Sequence, residues 1–348
     1  MLRNYLRFMI AMLLFVVGVS AVAAAPQTFS EAKTVARTKI YADRNQSELG
    51  TLYCGCQWRW VGQSGGRVDL GSCGYQVRKN QERANRIEWE HIVPAWTIGH
   101  QRQCWQQGGR KNCTANDPVF NVMEADLHNL SPVIGEVNGD RSNFNFGMVS
   151  TSMPNQYGQC TTRTDFKART TEPRDQAKGR VARVSFYMFD RYGLRMSRQQ
   201  QRLLMAWHKQ FPVDAWELER DRRIAAEMGH NNPFVTGEKT WTLDYRPSGE
   251  GLKTLKEKGV QSDSQRTKEV VGQASVLPKG EQDRETHSQD RSLPPGANPI
   301  IGNKRSRVYH LPQGCPSYDQ VATHNQQFFT DEVQAKAAGF RKAGNCRR

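Results

Sequence analysis

Eight cysteines constrain the fold of this 348-residue chain more than any other feature of its sequence. Six lie in the first half, at positions 54, 56, 73, 104, 113 and 160, and two, Cys315 and Cys346, lie near the carboxy terminus. In an oxidising compartment an even set of cysteines forms disulfides more often than metal sites. The distribution predicts two modules, each with its own pairing. Cys54 and Cys56 are expected to take different partners, and the spacing leaves the connectivity open.

The amino terminus indicates that the chain reaches such a compartment. Arg3 and Arg7 precede an apolar run from Phe8 to Val19, and small residues suited to cleavage follow near Ala23. This pattern predicts a signal peptide over residues 1–23. The alternative is an uncleaved anchor, but the run is shorter than the ~20 residues that span a bilayer. No later stretch is long and apolar enough to cross a bilayer, so we expect the mature chain to be free of the membrane, in the periplasm or outside the cell. We also expect it to be a monomer.

The formal net charge of +15 favours a polyanionic partner, such as nucleic acid or an anionic cell surface. Cleavage of the signal removes Arg3 and Arg7 and leaves the chain strongly basic. A generic basic exported protein would have the same balance, so charge alone does not select a function.

Hydrophobic periodicity predicts a mixed α+β domain in which helices outnumber strands. Helical spacing covers 29–43, 175–193, 197–211 and 214–229. We expect Ser30 and Asp214 to be N-caps and Gly229 to end the last of these helices. Short strands are predicted within "TLYCGCQWRWV" and "GRVDLGSCGYQV", which Gly and Ser turns separate.

The composition changes after residue 246. Residues 247–299 contain no aromatic side chain and are rich in Lys, Glu, Gln, Ser, Gly and Pro, so they cannot bury enough apolar area to offset their ordering entropy. We expect a main domain at 24–246, a disordered linker at 247–300 and a small cysteine-containing module at 301–348. A helical pattern in "TDEVQAKAAGFRKA" belongs to that module.

Two stretches carry residues suited to chemistry: "RIEWEHIVPAW" at 86–96 and "EADLHNLSPVIGEVNGDRSNFNFG" at 124–147. Glu90 offers a metal ligand and His91 a base that is neutral near pH 7. Adjacent side chains of a regular strand face opposite ways, so both serve one site only if the strand ends or bulges there. Pro94 indicates such an end.

The segments "WEHIVPAW", "RQCWQQGGRKNC", "MEADLHNLSPVIGEVNGDRSNFNFG" and "ERDRRIAAEMGHNNPFV" resemble, in matching order over about residues 29–236, the endonuclease I family of bacterial periplasmic and secreted nucleases. The resemblance implies a ββα-metal (His-Me finger) unit within a disulfide-stabilised domain. It also implies hydrolysis of DNA without sequence specificity, with RNA as a second candidate substrate. Mg²⁺ is the implied cofactor and Mn²⁺ a candidate substitute.

The same resemblance assigns roles to five positions. It implies that His91 is the general base, that Glu90 and Asn138 are the metal ligands, that Arg110 holds the cleaved phosphate and that Glu124 is an acidic residue supporting the site. The expected products carry 5′-phosphate and 3′-hydroxyl ends.

Several neighbouring residues have competing interpretations. Asn138 and Gly139 could form a turn instead of belonging to a helix. His128 and Asn129 are expected to hold a loop through backbone hydrogen bonds, and not to act in catalysis. Arg141 has two open roles, contact with phosphate or pairing with Asp140. Trp89 and Trp96 are predicted to pack in the core instead of stacking on bases. These two tryptophans flank the Glu90–His91 pair.

The carboxy-terminal module resembles the metal-binding domain of the Ada DNA-repair protein. His310 and His324 could complete a zinc site with Cys315 and Cys346, whereas export favours a disulfide between the two cysteines.

The rival interpretation of the whole chain is a non-catalytic secreted nucleic-acid-binding protein, which would need the charge but not Glu90, His91 and Asn138 together. No His-Glu-x-x-His motif occurs to support a zinc protease.

Overall fold

A computed structural model describes residues 24–260 and 300–346, the latter without positions 313–314, 316, 319–320, 322–324, 330 and 345. The two described parts belong to two compact units. The predicted signal peptide and residues 261–299 of the predicted linker lie outside the described residues. No helix in the described ranges combines the length and apolar composition needed to cross a membrane.

The first unit mixes helices with short strands, as predicted. Its strands are β1 (Trp58–Val61), β2 (Gly65–Val68), β3 (Ile87–His91), β4 (Leu130–Ile134), β5 (Asn145–Phe146), β6 (Arg163–Asp165) and β7 (Thr170–Glu172). Its helices are α1 (Phe29–Val35), α2 (Gln81–Ala84), α3 (Ala95–Gly99), α4 (Gln103–Gln106), α5 (Gly109–Asn116), α6 (Pro118–Glu124), α7 (Gly135–Arg141), α8 (Asp175–Arg191), α9 (Arg198–Gln210), α10 (Ala215–Met228), α11 (Pro233–Thr236) and α12 (Glu250–Glu257).

The strands form three small sheets. β1 pairs with β2, and β3 with β4, both antiparallel, while β7 lies between β5 (parallel) and β6 (antiparallel). In the β3–β4 pair, Glu90 lies opposite Ser131 and His91 opposite Leu130. β4 runs directly into α7, so two antiparallel strands and a helix form one local unit. β3 ends at His91, as Pro94 indicated.

The long helix α8 is the centre of the main core. Most of its residues are buried, and it packs against α9, α11 and α12. Gly179 allows the closest approach, because a Cβ atom there would lie 2.3 Å from the carbonyl oxygen of Phe211. The predicted helices at 175–193, 197–211 and 214–229 are thereby confirmed, with Asp214 and Gly229 as the caps of α10.

The amino-terminal helix begins differently from the prediction. Thr28, and not Ser30, is the N-cap: its hydroxyl accepts from the amide of Glu31, whose carboxylate accepts in turn from the Thr28 amide. This reciprocal capping box satisfies two amides at once. Ser30 as N-cap could not form it, because Lys33 would then occupy the N3 position that needs Glu or Gln. A π-helical turn at Ala36–Ile40 follows α1.

The disulfides follow the predicted division. Cys54 pairs with Cys160, Cys56 with Cys73, Cys104 with Cys113 and Cys315 with Cys346. Cys54 and Cys56 therefore take different partners, and the two modules pair independently, as expected. Because Cys315 and Cys346 are joined, neither offers the thiolate that zinc requires.

The main unit extends further than predicted. α12 lies inside the segment expected to be a disordered linker, and its Leu255 is buried. Gly251 packs against Arg191 and Tyr192 at the end of α8. The two buried residues, Gly251 and Leu255, are enough to hold α12 against α8, although the composition of the whole segment 247–300 is typical of a disordered chain.

In its described residues, the second unit is a small four-stranded sheet with one α-helix. Its strands are β8 (Ile300–Asn303), β9 (Val308–His310), β10 (Gln326–Phe329) and β11 (Arg341–Lys342), in the order β10–β8–β9–β11, and its helix is α13 (Glu332–Ala337). His310 is buried near the sulfur atoms of Cys315 and Cys346, within 4.8 Å, and burial lowers its pKa. His324, the fourth ligand of the predicted zinc alternative, lies outside the described residues.

Candidate active site

A cavity of about 860 Å³ lies beside the β3–β4–α7 unit. It is lined by Phe29, Lys33, Ser64, Gly65, Arg83, Ile87, Glu88, Trp89, Glu90, His91, Pro94, Ala95, Trp96, Trp105, Arg110, Asn138, Gly139, Arg141, Ser142 and Asn143. Four of the five predicted site residues, Glu90, His91, Arg110 and Asn138, therefore face one space. The fifth, Glu124, contacts two of them from behind.

The imidazole of His91 is held in one orientation. Its Nε2 atom lies 2.8 Å from the backbone carbonyl oxygen of Glu124. A carbonyl only accepts, so Nε2 carries the proton and donates, which leaves Nδ1 as the unprotonated acceptor. Burial, reinforced by the charges of Arg110, Arg141 and Lys33, lowers the pKa of His91 to about 3. The imidazole is therefore neutral at pH 7.

Phe29 covers this imidazole, and the sequence patterns did not single it out. The two ring centroids lie 4.6 Å apart. The cationic groups of Lys33 and Arg110 lie 4.9 and 5.4 Å from the Phe29 ring centroid. α1 thus places an apolar wall and a cation beside His91, across 62 residues of sequence. No local pattern could have predicted that contact.

Glu90 is buried, with one carboxylate oxygen already engaged. The Tyr53 hydroxyl donates to Oε1 at 2.5 Å, and Nη1 of Arg141 donates to the same oxygen at 2.9 Å. Burial raises the pKa of Glu90, and Arg141 and Tyr53 oppose that rise. Among the described residues no donor bonds to Oε2, so this oxygen is available to a cation.

Asn138 lies within α7 and not in a turn, and Glu88 sets the orientation of its amide. Nδ2 of Asn138 donates to Oε2 of Glu88 at 2.9 Å. Arg83 and Arg86 also bond to Glu88; although burial raises the pKa of Glu88, these arginines lower it below its ordinary value. With Nδ2 committed to a carboxylate, Oδ1 of Asn138 is the free amide atom. Glu88 is a positioning residue that its spacing of two from Glu90 could have indicated.

Arg110 and Glu124 form an ion pair at the cavity wall. Nε of Arg110 lies 2.5 Å from Oε1 of Glu124. The side chain of Arg110 is 46% exposed, whereas that of Glu124 is 2% exposed. Glu124 therefore orients a partly free guanidinium through its carboxylate and His91 through its carbonyl.

Arg141 does not form its predicted pair with Asp140, while its predicted contact with phosphate stays a prediction, since Arg141 lines the cavity. Its guanidinium is buried and donates to Glu90 and to the carbonyl oxygens of His91 and Ile92. Asp140 pairs instead with Arg78 and accepts from Tyr157. The buried Glu90 carboxylate accepts from Arg141 and holds its side chain inward.

His128 and Asn129 have the structural role that was predicted. The Asn129 side chain bonds to both the amide and the carbonyl of Val93, which fixes the chain just after β3. His128 is fully buried, and its Nε2 donates to the carbonyl of His230. Burial lowers the pKa of His128 to about 3, and Asp126 opposes this shift.

The two tryptophans beside the Glu90–His91 pair differ. Trp89 is buried and stacks on Trp60, as predicted. The core assignment of Trp96 is wrong: it is 44% exposed and lines the cavity. Trp96 lies in α3, which begins at Ala95 directly after Pro94, so the strand alternation that buries Trp89 does not reach it.

Replacement of Phe29 by alanine should raise the pKa of His91 from about 3 toward the ordinary value near 6.5, because water would reach the imidazole. An NMR titration of the His91 ring between pH 8 and pH 4 measures this. In the unmodified protein the ring should stay neutral down to pH 5. Phe29→Leu is the matched control, since it keeps an apolar cover. An unchanged His91 pKa in Phe29→Ala would contradict the conclusion that the Phe29 ring keeps water from the imidazole.

The first unit is similar in sequence to a known family and to named relatives. Residues 28–238 match the family model of Endonuclease I. An extracellular deoxyribonuclease of Aeromonas hydrophila is 51% identical over 210 residues, covering 60% of this chain and 88% of the relative. A periplasmic deoxyribonuclease of the same organism is 47% identical over 220 residues (63% and 92%).

A third relative, endonuclease-1 of Buchnera aphidicola subsp. Baizongia pistaciae, is 48% identical over 198 residues (57% and 80%). Residues 278–342 match a separate family, ArfC, so the comparison does not support the predicted resemblance of the carboxy-terminal module to Ada. The family match covers well over half of the chain, and the chain belongs to the Endonuclease I family.

Proposed function

We propose that this chain is an exported, metal-dependent endonuclease that hydrolyses DNA without sequence specificity. The convergence of Glu90, His91, Arg110 and Asn138 on one cavity carries the proposal. Relatives named as extracellular and periplasmic deoxyribonucleases support both DNA as the substrate and a location in the periplasm or outside the cell. RNA is a second substrate to be tested.

The donor set of the cavity fits a hard divalent cation. Oε2 of Glu90 and Oδ1 of Asn138 are a carboxylate and an amide oxygen without a described hydrogen-bond donor, on two elements of the same unit. Mg²⁺ is usually held by one or two protein oxygens, and water and phosphate complete its shell. When bound, Mg²⁺ would supply the positive charge that stabilises the phosphorane and the departing 3′ oxygen.

The side chains of the chain itself account for the other requirements of hydrolysis. His91 accepts the proton of the attacking water at Nδ1, while the Glu124 carbonyl keeps Nε2 protonated. Arg110 binds the phosphate, and Lys33 adds a second cation at the rim of the cavity. Attack at phosphorus with loss of the 3′ oxygen leaves 5′-phosphate and 3′-hydroxyl ends.

The β1–β2 hairpin extends this basic surface. Arg59 lies directly opposite Arg67, both side chains are exposed, and neither has a carboxylate partner among the described residues. Like charges placed opposite each other weaken a strand pair. β2 packs beside β3, and Ser64 and Gly65 of the hairpin line the cavity. The arrangement suits a polyanion that lies across the hairpin into the cavity.

His91→Ala should lower the rate of plasmid cleavage by about 10²–10⁴-fold, because the general base is lost. Each protein is incubated with supercoiled plasmid in Mg²⁺ and in excess EDTA to measure cleavage. Gel retardation measures DNA binding, which His91→Ala should retain. His208→Gln, on α9 and outside the cavity, is the control. Near-normal turnover by His91→Ala would exclude His91 as the base. Retarded but intact plasmid with the unmodified protein would favour the non-catalytic binding protein.

Glu90→Gln and Asn138→Ala should each weaken Mn²⁺ binding at least tenfold, because each removes one of two protein oxygens. Isothermal titration calorimetry without DNA measures this independently of cleavage. Glu88→Gln should weaken binding less, since it only releases the Asn138 amide. Glu219→Gln, on the exposed face of α10, should change nothing. Unchanged affinity in Glu90→Gln would place the cation elsewhere.

Arg59→Ala and Arg67→Ala should each raise KM for DNA and reduce the slope of log KM against log salt concentration by about 0.9, the value of one released counterion. The kcat should stay near that of the unmodified protein. Arg222→Ala, whose exposed guanidinium pairs with Glu219, is the matched control. An unaltered salt slope in both hairpin variants would remove the hairpin from the DNA-binding surface.

A further inference from the structure

Trp96 differs from the other seven tryptophans of the chain, which are buried or half-buried, because its side chain is exposed. Five of the others, Trp58, Trp89, Trp207, Trp216 and Trp241, are at most 8% exposed, whereas Trp96 is 44% exposed. It also lines the cavity that holds His91 and Arg110. A large apolar ring is therefore kept in water at the entrance to the candidate active site.

The ring of Trp96 is fixed before any ligand arrives. The imidazole of His100, one helical turn later, lies parallel to the indole, with centroids 3.9 Å apart and planes 6° apart. Nδ1 of His100 donates to the Trp96 carbonyl at 2.8 Å, which locks the imidazole in place. Gln106 in turn donates to the carbonyl of His100. One indole face is covered by this stack, so the exposed area lies on the opposite face and the edges.

A preorganised aromatic face beside a phosphate-binding arginine suits one class of ligand, a nucleobase. Bases stack on aromatic side chains without regard to sequence, since every base has a π-face. A base inside a duplex is covered on both faces by its neighbours, so only an unpaired base can reach such a surface. Because Trp96 lines the same cavity as His91 and Arg110, that base belongs to a nucleotide near the phosphate in the cavity.

We propose that Trp96, backed by His100, is a subsite for one unpaired nucleobase next to the scissile phosphate. The proposal rests on the proposed nuclease function and deepens it: the subsite favours single strands, frayed ends and nicks over intact duplex. Trp96 is a specificity residue here. The backbone cations bind both forms of DNA, and the indole adds affinity only for the unpaired form.

Binding is measured in the His91→Ala background, so that cleavage does not interfere, by fluorescence anisotropy of a labelled 10-nucleotide single strand and of the same sequence as a duplex. Trp96→Ala should weaken single-strand binding about 5- to 100-fold and change duplex binding less than twofold. Trp96→Phe should keep most of the single-strand affinity. Phe166→Ala, an exposed aromatic residue outside the cavity lining, is the matched control.

A strand with abasic sites at every position provides the second arm. Trp96→Ala and its parent should bind it equally, because no base is present to stack. Equal losses of single-strand and duplex affinity, or no loss of either, would overturn the subsite. Failure of the unmodified protein to cleave plasmid in Mg²⁺ would instead overturn the proposed function. Absence of DNA binding by the parent would overturn both.

Discussion

The buried guanidinium of Arg141 is the interaction on which the geometry of the site depends. It donates to the Glu90 carboxylate and to the carbonyls of His91 and Ile92, so the end of α7 is fixed to the end of β3. Asn138 lies on the same short helix, one turn earlier. The spacing between the two proposed metal ligands is therefore set by one buried cation. Loss of one partner from a buried charge pair typically costs about 3–5 kcal/mol, which makes this spacing hard to change.

Burial has opposite effects on the pKa values of His91 and Glu90, whereas the charge of Arg141 lowers both. Arg110, Arg141 and Lys33 join burial in lowering the pKa of His91 to about 3, while Arg141 opposes the rise that burial gives to the pKa of Glu90. A base with so low a pKa is a weak proton acceptor. A DNA phosphate bound at Arg110 would cancel one of the positive charges and raise the pKa of His91. In the proposed mechanism the substrate thus strengthens the base, and does so only when it occupies the cavity.

Local sequence signals correctly predicted the ends of secondary-structure elements and the division of the disulfides. Pro94 indicated the end of β3, Asp214 and Gly229 delimited α10, and export with the grouping of cysteines predicted two independently paired modules. Predictions failed where a distant contact decides the outcome. Arg141 turns inward because a buried carboxylate accepts its bond, and Leu255 makes α12 fold onto α8 despite its polar surroundings. The Phe29 ring reaches His91 only through the packing of α1, which no periodicity encodes.

Two disulfides of the first unit lie beside residues that line or support the cavity. The Cys104–Cys113 bridge closes a nine-residue separation that contains Trp105 and Arg110. Cys54, joined to Cys160, is the neighbour of Tyr53, whose hydroxyl donates to Glu90. α4 and α5 are too short to hold their positions by helix formation alone. A disulfide that closes a loop of this size stabilises the folded state by about 2–3 kcal/mol, because it restricts the unfolded chain. Formation of the disulfides and the shape of the site are therefore coupled. The compartment that permits the disulfides is also the one in which Arg110, the proposed phosphate-binding residue, is held in place.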